Sequence, residues 1–187
     1  MEWILSADNR LLTLIQEHLR TPLGDAVMPW ITALGNLGIF WILLAVILLF
    51  FPRWRMAGVQ MLTAMALATL VGTVILKPLI ARERPFLAND FTGLLIAAPK
   101  DFSFPSGHSA ASMAAAAVLL RRSSRAGVPA LVLALLIAFS RMYLYVHYPS
   151  DVLAGLLLGV LSALAGMRLV SFLWSRRPGA HARDRKV

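Results

Sequence analysis

Five long apolar runs restrict the folds that are open to this chain. Each is bounded by polar or basic residues, and they cover about 35–51, 56–76, 106–120, 128–144 and 152–174. Because backbone amides have no water to bond in lipid, such runs cross a membrane as helices. At 59% hydrophobic residues and a mean hydropathy of +0.73, the chain exceeds a soluble composition. We predict an all-α, integral-membrane helical bundle of five to six transmembrane helices, whose first run starts between Ala26 and Gly35.

The residues before these runs have a different pattern. From Trp3 to Arg20, apolar residues recur at roughly helical spacing, with Asp8, Arg10 and Glu17 between them. This alternation predicts an N-terminal amphipathic helix. The helix either lies on the membrane surface or packs on the end of the bundle, and the sequence leaves both arrangements open.

The chain is predicted to form one membrane-embedded domain over residues 1–175, since no internal repeat or second domain is visible. The remaining residues, 176–187, are basic and are expected to form a disordered cytoplasmic tail. The sequence has no cysteine, which excludes a disulfide, a thiolate nucleophile and a zinc–thiolate site.

Most of the basic residues behind the net charge of +9 lie between or after the apolar runs. The positive-inside rule makes the side with the most cations cytoplasmic. The N-terminal helix and the breaks before the third and fifth runs then face the opposite side. Membrane topology therefore explains the charge better than nucleic-acid binding does. The cations on the cytoplasmic side are Arg53, Arg55, Arg121, Arg122, Arg125, Arg176, Arg177, Arg183, Arg185 and Lys186.

The first polar cluster follows the second run and contains Lys77 and the pair Arg84-Pro85. Lys77 and Arg84 are seven residues apart, close to two helical turns, so they can project from one side of a helix. Two fixed cations, one of them an arginine fork, suit the several oxygens of a phosphate. Snorkelling at the membrane edge is the alternative, and it explains Lys77 but not Arg84-Pro85.

The second cluster, Pro105-Ser106-Gly107-His108, opens the third run. Proline stops a helix from extending backwards, and serine is a good N-cap residue. Gly107 lets the backbone approach a ligand, and the free N–H groups of a helix start suit an anion with His108 beside it. An ordinary turn and cap is the alternative. The run itself spans only roughly 22 Å, so its start should lie below the headgroups of a ~30 Å hydrocarbon core, or the bilayer must thin there.

The third cluster lies between the fourth and fifth runs and contains Ser140, Arg141, His147 and Asp151. Charged groups beside a bilayer core are costly and usually functional. If the chain is helical from His147 to Asp151, both side chains lie on one face. The carboxylate can then accept the proton of one imidazole nitrogen and leave the other as a base or nucleophile. A juxtamembrane loop with a simple ion pair is the alternative.

Together the clusters supply cations, helix-start donors and two histidines, which suffice for phosphoryl transfer without a metal. Three acidic residues, Glu83, Asp90 and Asp101, are scattered and are predicted to be solvated loop residues rather than a magnesium site. His18 and His181 lie outside the clusters and are interpreted as incidental.

The three clusters in this order resemble the signature of the type 2 phosphatidic acid phosphatases, a family that shares its site with vanadium haloperoxidases and some soluble acid phosphatases. The resemblance implies a helical bundle that removes phosphate from membrane lipids without a cofactor. It implies that His147 is the nucleophile that forms a phosphohistidine, that Asp151 orients it, and that His108 is the general acid. The implied phosphate-binding residues are Lys77, Arg84 and Arg141, with the backbone at Ser106 and Gly107.

Small bacterial members of this family act on several lipids, and the motifs do not choose among them. Undecaprenyl diphosphate is the favoured substrate, and phosphatidylglycerophosphate or phosphatidate is the alternative. A small lipid transporter or flippase is the alternative from another class, although the chain lacks broken apolar segments in paired repeats. The expected partners are the lipid substrate and the bilayer, without nucleic acid. The expected location is the bacterial cytoplasmic membrane, with the site on the extracytoplasmic side.

Overall fold

The computed structural model describes residues 2–176, so residues 177–187 of the predicted basic tail and His181 lie outside the described part. Within that part the chain is all-α, as predicted. Three regions are long and apolar enough to cross a membrane, namely Arg55–Ala88, Ser124–Tyr143 and Pro149–Ser175. A pair of helices bent by 43° forms a fourth candidate span in the described residues.

The N-terminal helix α1 (Glu2–Leu14) ends in a π-helical turn, Ile15–Leu19. Leu12 is fully buried and Asp8 is only 3% exposed, so the helix packs on the end of the bundle. Trp3 is 75% exposed and belongs to an apolar stripe that the bundle does not cover. The predicted amphipathic pattern is therefore present, but one of its polar residues points inward.

The bent pair corresponds to the first apolar run. Helix α2 (Pro22–Ala33) is capped by Thr21, whose side chain accepts the N–H of Gly24, and helix α3 (Ile39–Leu49) follows after a 3₁₀ turn, Asn36–Gly38. Gly38 has a φ of +67°, a left-handed conformation that favours glycine. This turn makes the break between the two helices.

Helix α4 (Arg55–Thr69) continues through a π-helical segment, Leu70–Leu76, into the short helix α5 (Lys77–Ile80). Lys77 is therefore part of a helix that extends past the apolar run. A second short helix, α6 (Pro85–Ala88), starts directly after Arg84, with proline at its first position.

Three further helices complete the bundle: α7 (Gly107–Arg122), α8 (Ser124–Tyr143) and α9 (Pro149–Ser175). Helix α7 has only 16 residues, as its short apolar run predicted, and lies at the centre of the bundle. Small residues let α9 approach it closely, since a Cβ at Gly155 would meet the carbonyl oxygen of Ser106 at 2.5 Å. The second and third sequence clusters are joined next to this contact, where the N–H of Ser106 donates to the carbonyl of Asp151 at 3.0 Å.

The two ends of the bundle differ in charge. At one end, Nη2 of Arg122 donates to the carbonyl of Arg53 at 2.7 Å, which brings two of the basic breaks together. At the other end, α1 contacts the start of α9 through Asp8 and Ser150. All three sequence clusters lie at this second end.

Candidate active site

A cavity of about 960 Å³ opens at the end of the bundle that carries the clusters. Its polar part is formed by α5, the loops that carry Arg84 and Asp101, the start of α7, the end of α8 and the segment before α9. Its apolar part extends along α3 and α4. Six predicted site residues line it: Lys77, Arg84, Gly107, His108, Arg141 and His147. Two others, Ser106 and Asp151, are completely buried behind the lining.

The three predicted phosphate-binding cations are all buried. Lys77 is 5% exposed, and Arg84 and Arg141 are each 3% exposed. Nη1 of Arg141 donates to Oγ1 of Thr32 at 2.6 Å, whereas its Nε has no hydrogen-bond partner among the described residues. A buried donor without a partner costs free energy, so an anion in the cavity would be a favourable ligand for Arg141.

Asp101 corrects one prediction, because it is not simply a solvated loop residue. Its carboxylate forms an ion pair with the amine of Lys77 and accepts from Nη2 of Arg84 at 2.6 Å. Burial opposes ionisation of this carboxyl, but the two cations outweigh that effect and lower its pKa to about 2. Asp101 is distant from both cations in sequence, and only the fold of the loop before α7 brings it to them.

His147 lies between the cations and the interior of the bundle. Its Nε2 is 3.2 Å from Nη1 of Arg84, and its Nδ1 is 3.4 Å from Oγ of Ser103. Burial lowers the pKa of His147 well below its usual range, and the neighbouring cations Arg84 and Arg141 lower it further. The imidazole is therefore neutral at physiological pH, with a lone pair that can react.

The helix that would place His147 and Asp151 on one face is not formed. Helix α9 begins only at Pro149, so His147 precedes it, and its Nδ1 is 3.6 Å from Oδ2 of Asp151. The same Oδ2 accepts the N–H of Tyr148 at 2.9 Å and the hydroxyl of Ser103 at 2.5 Å. Asp151 thus caps the helix, and the hydroxyl of Ser103 contacts both the carboxylate and the imidazole.

The second cluster forms the helix start that the sequence predicted. The side chain of Ser106 accepts the N–H of Ser109, but its own N–H donates to the carbonyl of Asp151 at 3.0 Å. Of the two predicted backbone donors, that of Ser106 is thus already occupied, whereas Gly107 lines the cavity. His108 lies in the first turn of α7, with Nε2 3.0 Å from Oδ1 of Asn36.

Besides Thr32 and Asp101, sequence reasoning missed four residues at or behind the site. Ser103 and Asn36 contact the two histidines, and Arg82 and Asp8 form ion pairs that end at Asp151. Arg82 carried one signal, since it lies two residues before Arg84, but Asp8 and Asn36 carried none. Within residues 2–176, no three histidine or acidic side chains are grouped so that they could hold a metal ion.

Comparison with known proteins connects this arrangement to a family. The family model of the PAP2 superfamily matches residues 57–175. The chain is 38% identical to the undecaprenyl-diphosphatase of Sulfolobus acidocaldarius, over 64% of this chain but only 58% of that relative. It is also 38% identical to the decaprenylphosphoryl-5-phosphoribose phosphatase of Mycobacterium tuberculosis, over 67% of this chain and 68% of that protein.

The similarity extends to the whole helical framework. A crystal structure of a transmembrane PAP2-type phosphatidylglycerolphosphate phosphatase from Bacillus subtilis matches with a TM-score of 0.75 and 28% identity. The match covers 95% of this chain and 90% of that one. Together with the match over residues 57–175, this means that the chain belongs to the PAP2 superfamily and is a multi-pass integral-membrane lipid phosphatase.

Proposed function

We propose that the protein removes phosphate from a membrane lipid through a phosphohistidine on His147, without a metal ion. The observation that carries this proposal is the shared cavity, in which the cations Lys77, Arg84 and Arg141 surround the neutral imidazole of His147. Fixed positive charges that are already in place stabilise a phosphoryl group during transfer without further reorganisation.

The chemistry proceeds in two balanced steps. In the first, the lone pair of His147 Nε2 forms a bond to the terminal phosphorus, and the bond from that phosphorus to the oxygen of the leaving group breaks. The leaving group is the lipid alcohol of a monophosphate or the lipid monophosphate of a diphosphate, and protonated His108 gives its proton to the departing oxygen. In the second, a water molecule attacks the phosphohistidine and loses a proton to His108. Phosphate leaves, and both histidines return to their starting states.

Arg84 has two functions in this scheme. Its Nη1 contacts Nε2 of His147 and the carbonyl of Val146, so it lies beside the attacking atom. The remaining guanidinium nitrogens reach the backbone and carboxylate of Asp101. The carboxylate of Asp101 is already paired with Lys77 and Arg84. An incoming phosphate therefore displaces this carboxylate instead of binding to unpaired cations.

Undecaprenyl diphosphate is the substrate that we favour. Two relatives whose names give polyprenyl substrates support this choice. The cavity adds support, because apolar side chains of α3, α4 and the π-helical segment after α4 extend its wall away from the cations, including Ile42, Leu62, Met65 and Val74. A prenyl chain can lie along such a wall. Phosphatidylglycerophosphate is the second candidate, and the whole-length similarity to the Bacillus enzyme favours it.

The proposed setting is a bacterial cytoplasmic membrane, with the cavity at the extracytoplasmic surface. The basic breaks around Arg53 and Arg122 lie at the opposite end of the bundle, and the positive-inside rule makes that end cytoplasmic. A lipid phosphate would then be hydrolysed on the outer leaflet.

A substrate panel tests the proposal. Purified protein in detergent with excess EDTA is given undecaprenyl diphosphate, phosphatidylglycerophosphate and phosphatidate, and phosphate release is measured. We expect turnover of all three, highest kcat/KM for the prenyl diphosphate, and inhibition by vanadate, which mimics the five-coordinate transition state. Strict dependence on Mg²⁺ would contradict the mechanism. Lipid transport by the same protein in proteoliposomes, without phosphate release, would favour the flippase alternative.

A further inference from the structure

Arg82 forms ion pairs with two acidic residues that are far from it in sequence. Its Nη1 donates to Oδ1 of Asp151 at 2.6 Å, and its Nη2 donates to Oδ2 of Asp8 at 2.7 Å. The side chain of Asp151 is 0% exposed and that of Asp8 is 4% exposed. The guanidinium also lies 4.1 Å from the centre of the Tyr148 ring. Arg82 is therefore fixed on several sides.

Asp8 contacts the same part of α9 directly. Its Oδ1 accepts the N–H of Ser150 at 2.9 Å, and its Oδ2 accepts the hydroxyl of Ser150 at 2.6 Å. Nη1 of Arg82 donates to the oxygen of Ser150 as well, at 2.7 Å. The N-terminal helix α1 thus holds the first turn of α9, and Arg82 is the cation between the two carboxylates.

The two oxygens of Asp151 have different partners. Oδ1 accepts from Arg82, while Oδ2 accepts from Ser103 and Tyr148 and is the oxygen nearer to Nδ1 of His147. A carboxylate with one oxygen held by an arginine cannot rotate freely about its terminal bond. The contact with Arg82 on Oδ1, together with those of Ser103 and Tyr148 on Oδ2, therefore sets which oxygen faces the imidazole.

We propose that Arg82 and Asp8 are positioning residues for the phosphatase reaction, acting through Asp151 on His147. Arg82 fixes the orientation of the Asp151 carboxylate, and Asp8 fixes Arg82. Neither residue reaches the cavity or touches the phosphate. The inference rests on the proposed role of His147 as the nucleophile, and it gives the N-terminal helix a function in catalysis beyond covering the end of the bundle.

The test measures kcat per active molecule, counted from the burst of phosphoenzyme, in Arg82→Gln and Asp8→Asn. We expect kcat to fall roughly 10- to 100-fold in Arg82→Gln, the scale of one charge-assisted hydrogen bond, and less in Asp8→Asn. KM should stay within twofold, because the cations of the cavity are unchanged, whereas the inhibition constant for vanadate should rise as kcat falls, since vanadate mimics the transition state. Arg82→Lys keeps the charge but not the fork, and it should restore part of kcat.

A double-mutant cycle separates positioning from simple stabilisation of the fold. If Asp8 acts through Arg82, adding Asp8→Asn to Arg82→Gln should lower kcat no further. Arg20→Gln is the matched control, since it breaks the 3.0 Å ion pair between Arg20 and Asp25 and should leave kcat unchanged.

Two results would overturn the inference. One is a normal kcat per active molecule in Arg82→Gln or, if that variant does not fold, in Asp8→Asn. The other is independent effects of the two substitutions on kcat. Absence of a phosphohistidine in the wild type would instead contradict the proposed function. This failure can be distinguished from failure of the inference, because the double-mutant cycle can still be measured on steady-state kcat.

Discussion

Oδ1 of Asp101 lies 2.6 Å from Nη2 of Arg84, and the same carboxylate contacts the amine of Lys77. Two of the three cations that we assign to the phosphate are thus paired with an anion of the protein itself. The side chain of Asp101 is 53% exposed, so it can leave the cations more easily than a buried partner could. The pairing offsets the cost of keeping Lys77 and Arg84 together in the unliganded state.

Replacement of Asp101 by asparagine should strengthen the binding of anions. Because the carboxylate competes with phosphate for Lys77 and Arg84, we expect the inhibition constant for vanadate to fall by roughly fivefold, the effect of an ion pair worth about 1 kcal/mol. Inhibition assays on Asp101→Asn and on Glu83→Gln measure this. Glu83 is exposed and serves as a control for the loss of one negative charge. Weaker vanadate binding in Asp101→Asn would mean that Asp101 instead organises the cations.

The two histidines should respond differently to the leaving group. His147→Ala should abolish turnover of every substrate, because no nucleophile remains. His108→Ala should reduce hydrolysis of phosphatidate by roughly 10²-fold or more, since a lipid alkoxide needs a proton to depart. The loss should be smaller for p-nitrophenyl phosphate and for prenyl diphosphates, whose leaving groups are stable anions.

Trapping of the phosphoenzyme gives the control for these variants. Wild type should accumulate an acid-labile phosphohistidine, and His147→Ala should not. Mapping of the phosphoryl group to His108 would reverse the roles that we assign to the two side chains.

The titration of His147 should lie well below that of an ordinary histidine. Burial and the cations Arg84 and Arg141 lower its pKa. The ring is therefore protonated at a lower pH than an unperturbed imidazole, whose pKa is about 6.5. We therefore expect the ring to remain neutral at pH 6 in ¹⁵N spectra of histidine-labelled protein without substrate, with His147→Gln to assign the signal. Arg84→Gln should move the titration back toward higher pH. A midpoint at or above 6.5 in the wild type would contradict this assignment of causes.

The topology predicts which loops are reached from outside the cell. Because the sequence has no cysteine, single cysteines can be introduced without removing native ones. In intact cells, an impermeant thiol reagent should label Asn89→Cys, at the end with the cavity, and should not label Ser124→Cys, at the basic end. Permeabilised cells should show labelling of both. The opposite pattern in intact cells would place the cavity on the cytoplasmic side.

Local sequence patterns predicted the helices and the three clusters well. Ser106 caps α7 because a serine after a proline is suited to that position, and the short apolar run gave a helix of 16 residues. The cavity brings together Lys77, His108 and His147 from three separate clusters. These features depend on residues close to one another in sequence or on motifs of fixed spacing.

The contacts around the clusters could not be predicted in the same way. The residues that flank Asp101 and Asp8 in sequence do not distinguish them from ordinary exposed acidic residues. The two become ion-pair partners only when the loop and α1 fold over the site. The geometry of His147 and Asp151 was mispredicted because Pro149 is a favourable first residue of a helix, which leaves His147 outside it. Ser103 then contacts both groups.

The π-helical segment Leu70–Leu76 sets the rotation of everything that follows it in the same helix. A residue advances an α-helix by about 100°, so a segment that accommodates extra residues per turn changes the direction in which Lys77 points. The same residues wound as a regular α-helix would still cross the bilayer and keep every charge in the protein. They would nevertheless turn Lys77 away from its present direction, by roughly 100° for each residue of difference in winding. The direction in which the helix presents Lys77 is therefore as necessary for the reaction as the positive charge of its side chain.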